Sequence, residues 1–359
     1  MNKVIKIEGA YGESNFGDDL LMKVFENFFI EEFPNSSVFF SGQEANYPQR
    51  ILSKALYNKK VNENLLVYGG GTQFFSFSSE NSKRSFFEIL KLVISNPRFL
   101  EKKIKQKFFH NKGNHFQKTA FIGIGLGPFS DNKSYIDYTI EKMIKSDFIA
   151  VRDQVSKKYC DDWNLNAILG ADVVFSKYFS HSLLPNNQNQ EGKKKIGIIV
   201  RDWNWEESGN MYTDPLMQVQ KNQKDYEFEY IIFAPMKDKK WAQKLNGHKV
   251  LTWNPEQDSI DSFLQKLNSY SGFISARYHG AIIGSLLNKP VICVEIEDKL
   301  RILTEQVKEF KLWEKPFDVN QLLSHLPVFE DEIDYSASLG LLSEDANNMF
   351  ANFKKTFQK

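Results

Sequence analysis

Cysteine is scarce in this sequence. Cys160 and Cys293 are the only two cysteines among 359 residues, and no Cys-x-x-Cys pair occurs. This pattern leaves neither a disulfide framework nor a thiolate zinc site, and it is typical of a protein from a reducing compartment. The sequence therefore predicts a cytoplasmic protein.

Long apolar runs are also missing. The N-terminal run that starts at Val4 is broken by Lys6 and ended by Glu8, so no signal peptide is predicted. The longest apolar stretches, residues 120–129 and 196–200, are far shorter than the ~20 residues that span a bilayer. Any association with a membrane is therefore expected to be peripheral.

Neither sign of charge is in excess. The chain has 46 lysines and arginines against 45 aspartates and glutamates, a formal net charge of +1. This balance excludes a surface built throughout to bind nucleic acid. With 42% hydrophobic and 25% charged residues, the composition is that of a soluble globular protein, and the length suffices for two domains.

The sequence does contain a regular alternation of short apolar runs and amphipathic stretches, which is typical of βα units on a parallel sheet. The predicted strands are residues 4–7, 37–40, 65–68, 120–125, 148–151, 167–169, 196–200, 230–234, 249–253, 273–275 and 291–295. Helices are predicted between them, for example from Asp19 to Phe33, with Asp18 or Asp19 as the cap.

A polar run over residues 181–195 is too poor in apolar side chains to pack, and we interpret it as a linker. It separates an N-terminal Rossmann-like domain, residues 1–180, from a C-terminal one, residues 196–335. Residues 336–359 are predicted to form a helix that packs back across the interface. Two such α/β domains normally bind ligands between the carboxyl ends of their strands.

Glycine-rich segments follow three strands of the first half. The first contains Gly9, Gly12 and Gly17 and leads into a helix, the second is Gly69 to Gly71, and the third is 123–128. None fits a dinucleotide-binding or P-loop motif. Ligand contact and tight packing both remain open as explanations, and the ligand interpretation makes Asn15, Gly70 and Gly71 candidate binding residues.

The second half places cationic side chains at strand ends. Arg201 directly follows strand 196–200, Arg277 and His279 stand between strand 273–275 and the next helix, and Lys299 follows the last strand. One such residue alone is explained by an ion pair on the protein surface. Together the four predict a pocket for a small, strongly anionic ligand, because guanidinium groups suit carboxylate and phosphate.

The motifs occur in a fixed order along the chain: Gly12-x-x-Asn15-x-Gly17-Asp18, Gly69 to Gly71, residues 123–128, Arg152-Asp153-x-x-Ser156, Gly170-Ala171-Asp172, Arg201, Arg277-Tyr278-His279-Gly280-Ala281, Pro290 and Lys299. This ordered set resembles the polysaccharide pyruvyl transferase family. The resemblance implies two Rossmann-like domains facing a cleft, as in GT-B enzymes. It also implies transfer of the enolpyruvyl carbons of phosphoenolpyruvate to sugar hydroxyls as a ketal, with release of phosphate and without a metal or cofactor.

The implied chemistry gives the candidate residues roles. Arg201, Arg277 and Lys299 are expected to bind the carboxylate and phosphate of phosphoenolpyruvate. His279 can donate a proton to the methylene or to the departing phosphate. The remaining candidates are the bases Asp18, Asp172 and Glu295, which the sequence does not rank, Gly280 beside the histidine, and Trp203 and Trp205, which alternate so that one is expected in the core.

A basic segment from Lys83 to Lys118 departs from the family pattern. It carries ten lysines and arginines against Glu88 and Glu101, interleaved with phenylalanine and aliphatic residues. Two interpretations remain open: a helical hairpin packed on its own domain, or helices lying on an anionic bilayer where a lipid-linked sugar is presented. No nucleic-acid-binding module accompanies the segment.

Two other functions remain open from the sequence. One is a GT-B glycosyltransferase that uses a nucleotide sugar, whose phosphates could use the same Arg277 and helix N-terminus. The other is a non-catalytic protein that binds a glycan or an anion, which would keep the pocket but not require His279. The acceptor sugar, the stereochemistry of the ketal and the oligomeric state are not determined by the sequence.

Overall fold

The computed structural model describes residues 3–76, 118–130, 132–179, 192–203, 205 and 207–358. The basic segment 83–118 lies outside these residues except for Lys118, so both interpretations of it stand as predictions. The linker predicted over 181–195 also lies outside them, except for its last four residues. No helix within the described ranges is long and apolar enough to cross a membrane.

The first sheet has seven parallel strands in the order β3-β2-β1-β4-β5-β6-β7. The order reverses between β1 and β4, and ligands of α/β sheets bind outside the carboxyl ends of strands at such a reversal. The strands are β1 Val4–Glu8, β2 Ser37–Ser41, β3 Leu56–Tyr57, β4 Leu65–Phe74, β5 Lys118–Leu126, β6 Phe148–Val151 and β7 Ile168–Leu169.

The second sheet has six parallel strands in the order β10-β9-β8-β11-β12-β13. Its order reverses between β8 and β11, the two strands that Arg201 and Arg277 follow. The strands are β8 Lys195–Val200, β9 Glu227–Ile232, β10 Val250–Thr252, β11 Gly272–Ser275, β12 Val291–Val294 and β13 Lys311–Trp313. Two parallel α/β sheets confirm the predicted fold class.

Eleven α-helices lie within the described residues. They are α1 Phe16–Glu32, α2 Pro48–Ile51, α3 Lys133–Ile144, α4 Gln154–Asp162, α5 Thr213–Asn222, α6 Lys239–Lys244, α7 Ile260–Asn268, α8 Tyr278–Leu286, α9 Asp298–Gln306, α10 Val319–His325 and α11 Ser336–Phe357. Short 3₁₀ helices cover Val173–Phe175, Glu207–Asn210 and Leu326–Glu330.

Helix α1 begins earlier than predicted. Its cap is Asn15, whose side chain accepts a hydrogen bond from the backbone N–H of Gly17, so the helix starts at Phe16 rather than at Asp19. Asp18 and Asp19 instead lie in its first turn, where negative charge is favoured by the helix dipole. The prediction of an aspartate cap was therefore wrong, because asparagine three residues upstream takes that position.

Strand β4 differs from the prediction that it ends at Tyr68. It continues to Phe74 and stays paired with β5 through the glycines. Gly70 and Gly71 have φ values of +66° and +71°, which glycine adopts without steric cost. A Cβ atom on Gly70 would lie 3.2 Å from the Leu21 side chain of α1, so the glycine run also permits close packing of this helix.

The eleven predicted strands are all present, whereas β3 and β13 were not predicted. Strand β3 contains two residues and β13 contains three, and each is an edge strand of its own sheet. A run this short shows no periodicity in the sequence. Only pairing with an existing neighbour, β2 for one and β12 for the other, defines them as strands.

One continuous core joins the two sheets. Phe16 of α1 lies against three aromatic rings that follow or face the second sheet, with centroid distances of 5.1 Å to Phe233, 5.0 Å to Trp253 and 4.7 Å to Phe263. The backbone N–H of Phe16 donates to the Phe233 carbonyl at 3.0 Å. The N-terminus of α1 is therefore packed into the second domain.

The last helix also connects the two domains. Helix α11 follows the second sheet in the chain, but its Phe350 and Phe353 rings pack on the first domain, against Phe28 of α1 and Phe148 of β6. Lys354 on the same helix pairs with a glutamate at the end of α1. The relative position of the two sheets is thus fixed at both ends of α1.

Candidate active site

The site lies where the N-terminus of α1 meets the carboxyl ends of the second sheet. Asn15 accepts a hydrogen bond from the Gly17 N–H at 3.3 Å and donates one to Asp18 Oδ2 at 2.5 Å. This pair of bonds fixes two of the predicted site residues on the first domain. They are therefore held on the rim of the cleft by the start of the helix.

His279 contacts the first domain directly. It is the second residue of α8, and a Cβ atom on Gly17 would lie 2.4 Å from its Nδ1. Its Nε2 lies 3.3 Å from Oδ2 of Asp172, which caps the 3₁₀ helix of the first domain. The imidazole side chain is only 12% exposed. The predicted acid thus lies between the two domains.

Asp172 is fully buried and binds a second cation. Arg152 Nη1 donates to Asp172 Oδ2 at 3.1 Å, while Arg152 Nη2 donates to Thr72 Oγ1 at 2.9 Å. Burial alone would raise the pKa of Asp172, but His279 and Arg152 hold it below its ordinary value. The carboxylate is therefore charged and shared between a guanidinium and the imidazole.

Tyr278 links Arg152 to the next cation. The guanidinium carbon of Arg152 lies 4.3 Å from the centroid of the Tyr278 ring, and Lys299 Nζ lies 5.9 Å from it. Lys299 Nζ is also 2.9 Å from Glu297 Oε1. Burial lowers the pKa of Lys299 to about 8, against the opposing effect of Glu297. Positive charge on this lysine is therefore costly unless an anion is near.

Arg201 completes the cluster. Its Nη1 donates to Glu297, and its guanidinium lies 4.7 Å from the centroid of the Trp203 ring. Burial would raise the pKa of Glu297, but Arg201 and Lys299 hold it below its ordinary value. We call the contiguous side chains the cleft cluster: Arg201, Glu297, Lys299, Tyr278, Arg152, Asp172 and His279.

The cleft cluster joins three permanent or titratable cations and one histidine by successive contacts, with two carboxylates as their counter-ions. Such an arrangement can bind a small polyanion and exchange a proton with it. Among the residues that the structure describes, no three histidine, cysteine, aspartate or glutamate side chains lie together as metal ligands.

Arg277 stands outside the cleft cluster. Its Nη2 donates to both oxygens of buried Asp238, at 2.6 and 2.5 Å, and its Nε donates to the Val200 carbonyl at 3.3 Å. The guanidinium therefore joins the ends of β8 and β11 to the segment before α6. Binding of a donor by Arg277 remains a prediction. In the structure its partner is the carboxylate of Asp238.

Glu295 and Gly280 are likewise engaged elsewhere. Glu295 is buried and accepts a bidentate pair of bonds from Arg301 Nη2, at 2.6 and 2.7 Å. A Cβ atom on Gly280 would lie 2.5 Å from Ser275 Oγ, so this glycine permits α8 to pack on its own sheet. Gly280 follows His279 in the chain, and the predicted roles of both Glu295 and Gly280 stay untested.

The two tryptophans differ in burial, as expected from their alternation. Trp203 is 2% exposed and lies beneath Arg201, whereas Trp205 is 50% exposed and has its ring 5.8 Å from Phe75 of the first domain. Trp203 is thus the core residue of the pair. Trp205 is the exposed residue of the pair.

Arg152 was not among the residues proposed from the sequence to bind ligand. It follows a strand of the first domain, and its neighbour Asp153 caps α4, so an Arg-Asp pair here is explained by a local ion pair. The available signal was its position directly after the fully buried strand β6. What the sequence did not show is that Asp172 and Tyr278 would surround this guanidinium.

Asp19 was predicted from the sequence only as a helix cap, and its contact with the second domain was not predicted. Its carboxylate is fully buried and accepts hydrogen bonds at 2.9 Å from Tyr47 Oη and from Trp253 Nε1 of the second domain. Burial raises the pKa of Asp19 to about 7 in spite of these bonds. The Asp19 carboxyl therefore links α1 to the second domain beside the cleft, and it gains or loses its proton near neutral pH.

Known structures share this architecture. UDP-GlcNAc 2-epimerase from Neisseria meningitidis, bound to UDP-GlcNAc, superimposes with a TM-score of 0.59 at 11% identity over 100% of both chains. The Methanocaldococcus jannaschii UDP-GlcNAc 2-epimerase gives 0.58 at 10% identity over 99% of this chain and 100% of the other. Spinosyn rhamnosyltransferase SpnG gives 0.51 at 8% identity over 99% and 100%. The protein therefore has a GT-B fold.

The sequence identifies the family within this fold. Residues 15–298 match polysaccharide pyruvyl transferase, and this match covers most of the chain. The protein belongs to the polysaccharide pyruvyl transferase family, a family of transferases. A comparison with curated proteins gives no match. The predicted resemblance is thereby confirmed at the level of the family.

Proposed function

We propose that this protein transfers the enolpyruvyl group of phosphoenolpyruvate to two hydroxyls of one sugar in a glycan, forming a pyruvate ketal and releasing phosphate. The observation that supports this function best is the cleft cluster, in which Arg152, Arg201 and Lys299 are connected through Tyr278 and Glu297. His279 joins the same chain of contacts through Asp172. Family membership supports the same reaction class.

The donor carries a carboxylate and a phosphate, so its binding requires several cations. Arg201 and Lys299 share the carboxylate of Glu297, and a bound phosphate would take over part of that pairing. Because burial lowers the pKa of Lys299 to about 8, an incoming anion would also favour its charged form. Arg277 would bind the donor only by giving up part of its pairing with Asp238.

The reaction then needs one proton donor and two hydroxyl nucleophiles. His279 protonates the methylene carbon of the donor, and a sugar hydroxyl adds to the resulting cation and loses its proton. A second hydroxyl of the same sugar displaces phosphate, which leaves with the electrons of its C–O bond and takes up one of the released protons. We assign the hydroxyl proton to Asp18, because the other two predicted bases, Asp172 and Glu295, are bonded to arginines.

The acceptor is proposed to bind on the first-domain side of the cleft. Asn15 and Asp18 present an amide and a carboxylate there, which are suitable partners for sugar hydroxyls. Trp205 is half exposed and its ring centroid lies 5.8 Å from that of Phe75, and an indole ring suits the apolar face of a pyranose. Residues Gly70 and Gly71 would contribute through their backbone, since neither has a side chain.

A lipid-linked form of the acceptor would bring the enzyme to the inner face of a membrane. The basic segment 83–118 is the proposed contact with anionic lipid. Co-sedimentation with anionic liposomes tests this proposal. Pelleting that is unchanged after Lys102, Lys103, Lys105 and Lys107 are replaced by Glu would contradict it.

The reaction is tested by phosphate release from phosphoenolpyruvate with a panel of hexose acceptors, followed by phosphorus NMR. We expect release that depends on the acceptor and that disappears in His279→Ala. His248→Ala is the matched control, because His248 is an exposed residue just before the amino end of β10, where its ring packs on Tyr230.

The same assay distinguishes the other functions. Hydrolysis or transfer of a nucleotide sugar, with phosphoenolpyruvate unused, would contradict the proposal and favour a glycosyltransferase; structures of similar fold have been solved with UDP-GlcNAc and thymidine diphosphate. Binding of anions without any turnover, unchanged in His279→Ala, would favour a non-catalytic protein.

A further inference from the structure

The two nitrogens of His279 have different surroundings. Nε2 lies 3.3 Å from Oδ2 of Asp172. Nδ1 lies on the opposite side of the ring, beside the Cα of Gly17 at the start of α1. No side chain or carbonyl in the described part of the chain forms a hydrogen bond with Nδ1.

The partner of Nε2 can only accept. Asp172 is fully buried, its Oδ2 also accepts from Arg152 Nη1 at 3.1 Å, and its Oδ1 accepts from the Val174 N–H at 3.1 Å. The Arg152 guanidinium and the Val174 N–H help to hold the pKa of Asp172 below its ordinary value, and an ionised carboxylate has no proton to give. The hydrogen on the bond between the two side chains must therefore belong to the imidazole.

We propose that Asp172 is a positioning residue that keeps the proton of His279 on Nε2, so that Nδ1 is the atom that exchanges a proton with the substrate. The imidazole is thereby fixed in one tautomer and one ring orientation before any ligand binds. Asp172 itself does not touch the substrate, since it lies behind the ring. This proposal deepens the proposed function and rests on it only for the identity of the proton acceptor.

The proton balance follows from this assignment. In the protonated state, His279 carries hydrogens on both nitrogens, and transfer of the Nδ1 proton to the methylene carbon leaves a neutral ring that keeps Nε2–H bonded to Asp172. Of the two protons that the hydroxyls release, phosphate takes one, and the other passes from Asp18 to Nδ1 and restores the starting state.

Both domains are needed to orient the candidate acid, His279. Asp172 belongs to the first domain and His279 to the second, and 107 residues of sequence separate them. Nδ1 faces the end of α1 where Asn15 and Asp18 are held. The histidine is therefore oriented only while the two sheets keep their relative position.

Nitrogen NMR of the full-length protein labelled with ¹⁵N-histidine tests this directly, without substrate, at a pH above which the His279 signals no longer change. His279→Gln identifies the signals. We expect a protonated nitrogen at Nε2 and an unprotonated one at Nδ1 in the wild type. A ring protonated at Nδ1 in the wild type would overturn the proposal, whether or not any variant folds.

Asp172→Asn and Asp153→Asn form the matched pair of variants. Both neutralise a buried carboxylate beside Arg152, but only Asp172 contacts His279. We expect Asp153→Asn to keep the wild-type tautomer and Asp172→Asn to lose it, giving a mixture or the Nδ1–H form. An unchanged spectrum in folded Asp172→Asn would overturn the positioning role.

Kinetics complete the test. Removal of an oriented general acid typically costs 10² or more in rate, so we expect kcat of Asp172→Asn to fall about 100-fold. The NMR result does not depend on the reaction. A protein with the Nε2–H tautomer but no pyruvyl transfer would therefore overturn the proposed function alone, whereas transfer with the opposite tautomer would overturn the positioning role alone.

Discussion

Gly17 occupies a position at which any side chain would meet the candidate acid. A Cβ atom there would lie 2.4 Å from Nδ1 and 2.9 Å from Cγ of His279, closer than real Cβ contacts approach. Gly17 lies in the first turn of α1 and has ordinary helical backbone, so conformational freedom does not explain it. Glycine is required here because a side chain would occupy the space of the His279 imidazole.

Gly17→Ala is therefore predicted to displace His279 and to lower kcat by about 100-fold, the rate contribution typical of a general acid. Helix propensity favours alanine by roughly 1 kcal/mol, so the loss is expected without a large loss of stability. Steady-state kinetics and thermal melting measure the two effects. Gly340→Ala on α11, where nothing lies within 4 Å of a new Cβ, is the control.

Normal turnover in Gly17→Ala would show that the position of His279 is unimportant for the reaction. A loss of folding rather than of turnover would instead assign Gly17 a packing role at the domain interface. Gly340→Ala is expected to leave both measurements within error.

Asp19 makes stability depend on pH. Its pKa is raised to about 7 by burial, whereas in the unfolded chain it has its ordinary value near 3.8. Between these two values the folded protein holds a proton that the unfolded chain releases. The free energy of unfolding therefore falls as pH rises through this window, by roughly 1.4 kcal/mol for each unit of pKa difference crossed.

Asp19→Asn is predicted to remove this dependence, because the amide stays neutral at every pH and keeps an oxygen that accepts from Tyr47 or Trp253. Relative to the variant, the wild type should lose about 2 to 3 kcal/mol between roughly pH 5 and pH 8. Urea unfolding at several pH values measures it. Asp214→Asn, at an exposed carboxylate of α5, is the control, and parallel wild-type and Asp19→Asn profiles would refute the prediction.

At the scale of single elements, the two longest described helices have different roles. Helix α1 supplies the rim of the site at its N-terminus and a hydrophobic face along its length. Helix α11 has 22 residues and buries Phe350 fully against α1, with a centroid distance of 4.3 Å to Phe28. Its position on the first domain is thus set by aromatic packing.

Phe350→Ala is predicted to destabilise the protein by about 3 to 5 kcal/mol, because the cavity left beside Phe28 and Tyr178 cannot collapse without moving α1. Chemical denaturation measures the change. Leu341→Ala on the same helix is the control, since Leu341 is 67% exposed and its truncation should cost less than about 0.5 kcal/mol. Equal effects of the two substitutions would mean that α11 does not pack as described.

The elements that the sequence predicted well are those with a local signal. Strand β6 was predicted with its observed bounds because it is a short buried apolar run between polar turns. Strand β4 was predicted too short, because three consecutive glycines normally indicate a turn. Its continuation depends on pairing with β5 and on the approach of Leu21 from α1, which lie outside the local sequence.

At the scale of the molecule, the two sheets share one core. Phe16 is fully buried among three aromatic residues of the second domain, so separating the domains would expose all four rings. The exposed pair of Arg50 and Glu256 also joins the domains, but both side chains are about 60% exposed and such pairs contribute little. Aromatic packing therefore dominates this contact.

We accordingly predict one cooperative thermal transition for the whole chain, with equal calorimetric and van't Hoff enthalpies. Phe16→Ala should lower stability by about 3 to 5 kcal/mol and separate the melting of the two domains, whereas Arg50→Ala should cost less than about 1 kcal/mol. Differential scanning calorimetry checks both. Two separated transitions in the wild type would contradict a shared core.

The sequence by itself determined the fold class, the family and the strand ends that carry Arg201, Arg277, His279 and Lys299, because periodicity, turns and motifs are local properties. Only the tertiary structure decided how these charges pair. Asp238 pairs with Arg277, and Glu297 pairs with both Arg201 and Lys299. Asp172 contacts His279, which lies 107 residues further along the chain. These ion pairs form between segments that are remote in the sequence. The order of strands in the sheets and the packing of α1 determine the distances between such segments.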